Sequence, residues 1–448
     1  MSQSRAYSLG RLSTAVVLAV LFLPICITFL YVRAFSVEMP FMDDWDIVIP
    51  QLAHIETGTL HWSDINVQHN ESVILFPQLV YLAAARLLGY QVLAPIYISF
   101  GFLCGSLLVL FLFFRRLRLP GRGSLLWFLP VSVFFMSWRQ SEGLLWSTHL
   151  LNTMALFFSL LALYCCLDAH RSRLFFAAAL VSTGIASFSM ASGVLSWALG
   201  WIYLALLSPS EARRARLWRV AAWSLFGALC CICFLFDRPV HSIGWHAGLS
   251  YAWSHLGTAG RYGLIYLGSP FSHDPDRAVL AGAAFAIIAV VSVYFTIAKG
   301  LRQAAVSASL LLIAMVLFSL GPLLLFRMQL GSEEAISSRY VTLLSVGPVG
   351  VYFCLIALLH KTPAARYLLV ALAALFVLGT VDAYASGLED GRENHADLIQ
   401  CAAIVRDYHH RAVEDLECAY PEPQAILGRA AHLERHRLSL FRWSDGRR

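Results

Sequence analysis

The chain has 448 residues, of which 58% are hydrophobic and only 13% are charged. A soluble globular domain carries about 25% charged residues, so this composition excludes a soluble enzyme and indicates a polytopic membrane protein. The formal net charge of +6 does not indicate nucleic-acid binding in such a chain. Its distribution between the loops is informative instead, because it reports how the chain lies across the bilayer.

Apolar runs close to membrane-spanning length follow one another along the sequence. They predict an all-α polytopic membrane protein with about eleven transmembrane helices. The spans are expected at about 13–35, 92–114, 124–138, 147–167, 174–190, 193–207, 218–236, 278–298, 305–326, 340–359 and 366–384. The first run is too long for a cleavable signal and lacks a small-residue cleavage site, so we expect it to anchor the chain.

The apolar segment 73–88 decides the predicted topology. If it does not cross, Arg5 and Arg11 share one side of the membrane with the later basic loops. Those loops contain Arg115, Arg171, Arg213, Lys299 and Arg366. Because basic loops stay in the cytoplasm, we expect a cytoplasmic N-terminus and an extracytoplasmic C-terminus, in a bacterial inner membrane. Segment 73–88 then lies in the outer interface, or dips in and returns.

The predicted organisation has two parts. Residues 1–384 form the transmembrane domain, and its first outer loop, 37–91, is the expected catalytic region. Residues 385–448 form a small polar, mostly helical cap over the outer mouth. Cys401 and Cys418 are the only cysteines outside apolar runs, and on an oxidising side of the membrane they are expected to form a disulfide.

The first outer loop begins with a cluster of carboxylates around Trp45. Asp43, Asp44 and Asp46 follow directly on the first span. Adjacent carboxylates can take a proton from an acceptor hydroxyl, or can hold a divalent cation together with a substrate phosphate. Helix capping explains one aspartate here but not three. We therefore expect a functional cluster, with its need for a divalent cation left open.

A second polar motif, His69-Asn70-Glu71, lies later in the same loop. At a helix N-terminus, Glu71 would be stabilised by the helix dipole even without a function. Capping and function therefore both remain open. A loop that folds back on itself would bring this motif beside residues 43–46.

Further candidates lie at the outer mouths of later spans. Arg339 precedes Tyr340, and its planar guanidinium suits a lipid-linked phosphate. The alternative is an interfacial arginine beside a belt tyrosine. Arg327 is a second phosphate-binding candidate at the other end of that loop. Glu142 and His149 flank a short outer loop, where an aromatic-belt turn is the alternative.

The layout and these motifs resemble the GT-C class of integral-membrane glycosyltransferases. Residues 43–46 (DDWD), 69–71 (HNE) and 339–340 (RY) look like motifs of uncharacterised bacterial members. The resemblance implies about a dozen spans, a catalytic first outer loop with helices along the membrane, and a polyprenyl-phosphate-linked sugar donor. The acceptor would be a glycan, lipid or protein of the cell envelope. The resemblance covers 13–384 in layout and says nothing of the tail.

The resemblance also implies roles for single residues. Asp44 or Asp43 would be the general base, with Asp44 preferred, and Glu71 would be the second carboxylate. The residues expected to bind substrate are Asp46, His69, Asn70, Glu142, His149, Arg327, Arg339 and Tyr340. One departure from the pattern is that the first basic residue after the HNE motif is Arg86, which leaves donor-phosphate binding to Arg339 and Arg327. Direct attack predicts inversion at the anomeric carbon.

Two other functions compete with sugar transfer. A glycan polymerase or ligase would need paired arginines in a large late outer loop; loop 237–277 has Arg238 and Arg261 but lies mid-chain. A transporter or flippase would place charges inside the spans, and between 92 and 384 these carry almost none. Both alternatives are therefore less favoured than the glycosyltransferase.

Overall fold

The computed structural model of the chain describes residues 14–120, 122–208, 212–235, 245–299, 304–360 and 363–442. This part of the chain is helical apart from one antiparallel hairpin, in which Gln68–His69 (β1) pairs with Ser72–Val73 (β2). The predicted all-α class is confirmed. Arg5, Arg11 and Arg238, on which the predicted topology and the ligase alternative partly depend, lie outside the described residues.

The α-helices follow one another with short connections. In chain order they are α1 (Thr14–Phe35), α2 (Asp44–Ile47), α3 (Ile49–Thr57), α4 (Trp62–Ile65), α5 (Leu75–Leu88), α6 (Leu93–Arg115), α7 (Leu129–Phe135), α8 (Ser141–Leu145), α9 (Leu150–Asp168), α10 (Arg173–Ser187), α11 (Leu195–Ile202), α12 (Arg213–Leu235), α13 (Trp245–Ser254), α14 (Leu256–Gly268), α15 (Pro275–Ala298), α16 (Ala304–Phe326), α17 (Ser332–Ile336), α18 (Val341–Leu344), α19 (Val346–Leu359), α20 (Pro363–Leu378), α21 (Thr380–Arg406) and α22 (Pro423–Arg435).

Eight helical stretches in the described residues are long and apolar enough to cross a membrane. They are Val16–Phe35, Leu93–Arg115, Ser147–Asp168, Arg213–Phe234, Pro275–Ala298, Val306–Phe326, Ser338–Leu359 and Arg366–Arg406. The chain is thus built as an integral membrane protein. The predicted spans at 124–138, 174–190 and 193–207 are also helical but shorter. In the first, a 3-10 turn from Arg122 leads into α7, and in the second, α10 has 15 residues. In the third, Ala191–Leu207 combines 3-10, α and π turns.

The long helices differ in how much of their surface they bury. The stretches containing α9 and α19 are the most buried, and α12 is the least. Large apolar side chains such as Leu225, Leu280 and Ile297 are exposed on the outer helices. Such surfaces suit a hydrocarbon environment, where apolar side chains need no protein partner.

The last long helix extends well past the predicted span. The boundary at 384/385 falls inside α21, which continues to Arg406. This polar continuation packs on earlier elements through two glycines: Gly387 lies against Trp138, and Gly391 lies against Tyr31. Cys401, on the same continuation, forms the predicted disulfide with Cys418, with Cα atoms 5.8 Å apart.

Gly387→Ala should destabilise the protein by about 1–3 kcal/mol, because the close approach leaves no room for a methyl group. A Cβ at this position would lie 2.2 Å from the carbonyl oxygen of Trp138. Gly428→Ala on α22 is the control, since a Cβ there meets no atom within 4 Å, and it should be neutral or stabilising. Thermal unfolding in detergent checks both; equal melting temperatures for the two variants would contradict the packing argument.

Candidate functional site

The hairpin β1–β2 brings the two motifs of the first outer loop together. Asn70 and Glu71 form its turn, and Asn70 takes the left-handed conformation (φ +50°) that asparagine tolerates better than most residues. His69 Nε2 thereby lies 3.2 Å from the Asp43 carboxylate, and Asn70 Nδ2 lies 3.0 Å from the same nitrogen. The folded-back loop predicted from the sequence is therefore observed.

Asp43 presents a half-exposed carboxylate. Its side chain is 46% exposed. Burial of its other part favours the neutral form, but the hydrogen bond and charge of His69, together with the positive charge of Arg339, outweigh burial and lower its pKa. Asp43 is therefore ionised at neutral pH and open on one side, as a general base must be.

Asp44 has the opposite environment. It is 2% exposed, its Oδ2 accepts from the Phe41 N–H (3.1 Å), and its Oδ1 accepts from the Ser147 hydroxyl. Burial raises its pKa to about 7, against these two hydrogen bonds. The preference for Asp44 as the base does not fit this geometry, because an acceptor hydroxyl cannot reach a carboxyl enclosed on all sides. Asp44 instead joins α2 to the start of the Ser147–Asp168 stretch.

The raised pKa of Asp44 makes stability depend on pH. The unfolded carboxyl ionises near 3.8 and the folded one near 7, so between these values only the folded state holds the proton. Its contribution to stability is complete below about pH 4 and is lost as the pH rises through 7, at about 1.4 kcal/mol per pH unit. Asp44→Asn removes this slope. Apparent melting temperatures at pH 5 to 8 should show wild type losing stability relative to the variant; a constant difference would refute the assignment.

Asp46 faces away from this site. Its carboxylate accepts from the Tyr420 hydroxyl and pairs with Arg429 Nη1 at 2.5 Å. Both partners belong to the C-terminal tail. Asp46 thus contacts the tail while 40% of its side chain stays exposed, and the expectation that it binds substrate stays a prediction.

Glu71 pairs with Arg327 across more than 250 residues of sequence. Arg327 Nη2 lies 2.6 Å from Glu71 Oε2, and both side chains are about 30% exposed (28% and 29%). Glu71 lies in the hairpin turn, whereas α5 begins only at Leu75, so helix capping does not explain this residue. The pair joins the HNE motif to the segment that follows α16.

Arg339 and Tyr340 converge on one carboxylate. The Arg339 guanidinium and the Tyr340 hydroxyl both donate to Glu334, and the guanidinium carbon lies 5.4 Å from the centre of the Tyr340 ring. Arg339 Nε is buried and has no hydrogen-bond partner among the described residues, whereas the side chain as a whole is 38% exposed. An arginine that is fixed by a carboxylate and remains partly exposed can still bind an anion.

Glu142 and His149 complete the surroundings of Arg339. Glu142 accepts from the Ser337 hydroxyl at 3.2 Å; burial raises its pKa, and the charge of Arg339 opposes this rise. His149 is 4% exposed, and its Nδ1 lies 3.1 Å from Asn152 Nδ2. His149 is therefore enclosed beside Arg339 and does not itself face solvent.

Sequence reasoning missed three residues that organise the site. Glu334 holds Arg339 and Tyr340; its spacing, five and six residues before them across a short helix, is a signal that could have been used. Ser147 holds Asp44, and no local pattern indicates that contact. Glu38 accepts from the backbone N–H groups of Val92 (2.7 Å) and Leu93 (3.1 Å) and so caps α6.

Acidic side chains are the usual protein ligands of a divalent cation such as Mg²⁺. Within the described ranges no group of three or more His, Cys, Asp or Glu side chains could hold a metal ion. Asp44 is enclosed and accepts from Ser147, whereas Asp43 and the tail-bound Asp46 keep 46% and 40% of their side chains exposed. One or two carboxylates together with a substrate phosphate can hold Mg²⁺, so the divalent cation considered from the sequence stays a prediction.

Comparison with known proteins adds no further constraint. No protein-family model matches this sequence, and no curated protein matches it significantly. The function has to follow from the chemistry of the site itself: an ionised, half-open aspartate steadied by a histidine, two arginines paired with carboxylates, and a buried acid beneath them.

Proposed function

We propose that the chain is a GT-C-like glycosyltransferase that moves a sugar from a polyprenyl-phosphate carrier to a hydroxyl of a cell-envelope glycan, lipid or protein. One observation carries the proposal: Asp43 is ionised, half open and held by His69, within the electrostatic reach of Arg339. A base for the acceptor and a cation for the departing phosphate are the two groups that such a transfer needs.

The reaction is a single displacement. Asp43 takes the proton from the acceptor hydroxyl, whose oxygen forms a bond to the anomeric carbon. The bond from that carbon to the phosphate oxygen breaks, and polyprenyl phosphate leaves with the electron pair. Arg339, with Arg327 beside Glu71, neutralises the charge that gathers on the phosphate. Attack from the face opposite the leaving group inverts the anomeric centre.

Eleven crossings of the membrane belong to the proposal, and contacts at the helix ends support this number. On one side, Arg116 after α6 pairs with Asp168 at the end of α9, the Tyr203 hydroxyl donates to Leu167 O, and Arg219 donates to His170 O. The segments through α7, α10 and α11 each connect this side of the molecule with the opposite side. Each short segment therefore counts as a crossing, together with the eight long stretches.

The opposite side holds the site. Ser147 contacts Asp44, the Phe76 N–H donates to Phe188 O, and Glu38 caps α6. Because both ends of α5 (Leu75–Leu88) meet elements of this side, α5 returns without crossing. The tail disulfide favours an extracytoplasmic position for this side, in a bacterial inner membrane, since structural disulfides persist in oxidising compartments.

The test is incubation of purified protein with a panel of polyprenyl-phosphate sugars and assay for released polyprenyl phosphate. One donor should raise the melting temperature and be consumed with transfer to water-soluble or lipid acceptors. Polyprenyl diphosphate-linked oligosaccharides form the second arm, which tests for a ligase. Protection by none of the polyprenyl-phosphate sugars, or protection by the diphosphate donors alone, would overturn the proposal.

A further inference from the structure

The C-terminal tail holds the DDWD motif from outside. The Met42 N–H donates to the Ala419 carbonyl at 2.9 Å, immediately before Asp43. Asp46, on the other flank, is bound by Tyr420 and Arg429. Residues on both sides of the proposed base are therefore fixed by the tail, in addition to the contact of Asp44 with Ser147.

The backbone beside Asp43 needs such support. Met42 has φ +48°, in the left-handed region that non-glycine residues seldom adopt. A conformation of this kind costs about 1–3 kcal/mol and persists only where surrounding contacts impose it. Among the described residues, the Ala419 carbonyl is the hydrogen-bond acceptor of the Met42 amide. Releasing the tail therefore lets residue 42 relax and moves the carboxylate of Asp43.

The tail is itself fixed to the rest of the molecule. Cys418, which directly precedes Ala419, is bonded to Cys401 on α21. That helix is in turn held by Tyr31, whose hydroxyl donates to Gly387 O at 2.7 Å. Around the disulfide the tail buries a small apolar core made of Leu398, Val405, Leu416, Ile426, Leu433 and Phe441. A short series of packed contacts therefore connects α21 to the residues beside Asp43.

We infer that Tyr420 and Arg429 are positioning residues for Asp43, and that the disulfide-linked tail completes the active site. The catalytic consequence of this inference rests on the proposed function. Its structural part, that the tail fixes the residues beside Asp43, is independent of that function. His69 contacts the Asp43 carboxylate directly. Tyr420 and Arg429 fix the short helix α2, which Asp43 directly precedes, through Asp46. Neither tail residue contacts the open side of Asp43, so neither is assigned a chemical step.

Hydrogen–deuterium exchange tests the positioning role without an activity assay. Tyr420→Phe and Arg429→Met should each raise the exchange of residues 41–47 by tenfold or more, with unchanged exchange in β1–β2 and in α6. The control is Arg435→Met, an exposed residue on the same helix as Arg429, which should leave residues 41–47 as in wild type. Equal exchange of residues 41–47 in all four proteins would overturn the inference even if sugar transfer is established.

Kinetics then test the catalytic consequence. In Arg429→Met, kcat should fall about tenfold or more while KM for the donor changes less than about twofold, since misplacing a catalytic group affects chemistry and not phosphate binding. Asp46→Asn combined with Arg429→Met should lose no more than the worse single variant, because both act through one contact. Additive losses, or a change confined to KM, would contradict positioning through Asp46.

The disulfide provides an independent perturbation. Cys401→Ala with Cys418→Ala should raise the exchange of residues 41–47 in the same manner as Tyr420→Phe, with intact exchange in the membrane-anchored helices. If the double variant loosens only residues 407–420 and leaves 41–47 protected, the tail is not coupled to the site. If wild type transfers no sugar but the exchange results hold, the proposed function fails and the structural inference stands.

Discussion

Asp43→Asn should reduce sugar transfer by about 10²–10⁴-fold, the usual contribution of a general base. The amide keeps the shape of the side chain and can still meet His69, so the β1–β2 hairpin should stay in place. It cannot accept the proton of the acceptor hydroxyl. Donor binding should persist, because Arg339 and Arg327 are untouched, and donor protection against thermal unfolding should therefore remain close to that of wild type.

Two further variants make this prediction specific. Asp415→Asn, an exposed tail carboxylate on the same side of the molecule, should leave transfer unchanged. Asp44→Asn should affect transfer less than Asp43→Asn, because the Ser147 hydroxyl can still donate to the amide oxygen. Asp43→Asn with more than a tenth of wild-type activity, and Asp44→Asn with almost none, would return the role of base to Asp44.

Hydropathy predicted the long helices well because their apolar runs have no polar interruptions. The α6, α9, α15 and α16 helices begin and end within a few residues of the predicted spans. It predicted less well where polar sequence continues a helix. The extension of α21 to Arg406 is stabilised by packing on Trp138 and Tyr31, which no local pattern reveals.

The candidate site was predictable as a set of motifs but not as a geometry. The sequence places Asp43 and Asp44 side by side, and only the fold decides which is open. That decision depends on Ser147, 103 positions away, and on the burial of Trp45 beneath the loop. Likewise, Asp46 is part of the acidic cluster in the sequence, but in the structure it contacts the tail. Its partner Arg429 lies nearly 400 residues later, so the local sequence does not indicate the contact.

The two arginines of the site are each paired with a carboxylate in the structure. Arg327 meets Glu71, and Arg339 meets Glu334. Such pairs pre-orient long side chains that would otherwise lose conformational entropy when a phosphate binds. They also weaken the net positive charge, so the phosphate must compete with carboxylates or use the remaining N–H donors. Arg339 is the more exposed of the two, at 38% against 28%, and its charge acts on Asp43, which makes it the better candidate for binding the donor.

Arg339→Met should lower kcat/KM for the donor by about 10²–10³-fold, the typical cost of removing one donor to a developing anion. Arg339→Lys should recover only part of this loss, because an ammonium group cannot keep Glu334 on one edge and reach the phosphate with another. Steady-state kinetics with the donor identified in the panel would measure both. Because Glu334 loses a partner in either variant, melting temperatures have to accompany the rates.

Arg277→Met separates a specific effect from a general loss of positive charge. Arg277 is 72% exposed and lies near Asp382, away from the site, so its removal changes net charge by the same amount and should leave kcat/KM unchanged. A comparable loss in both variants would mean that the overall field attracts the anionic donor and that Arg339 does not contact it. A loss of kcat/KM in the Arg339 variant alone, larger in kcat than in the affinity for donor, would indicate that the guanidinium contacts the phosphate in the transition state. The reason is that only an interaction that strengthens as the bond breaks lowers the barrier.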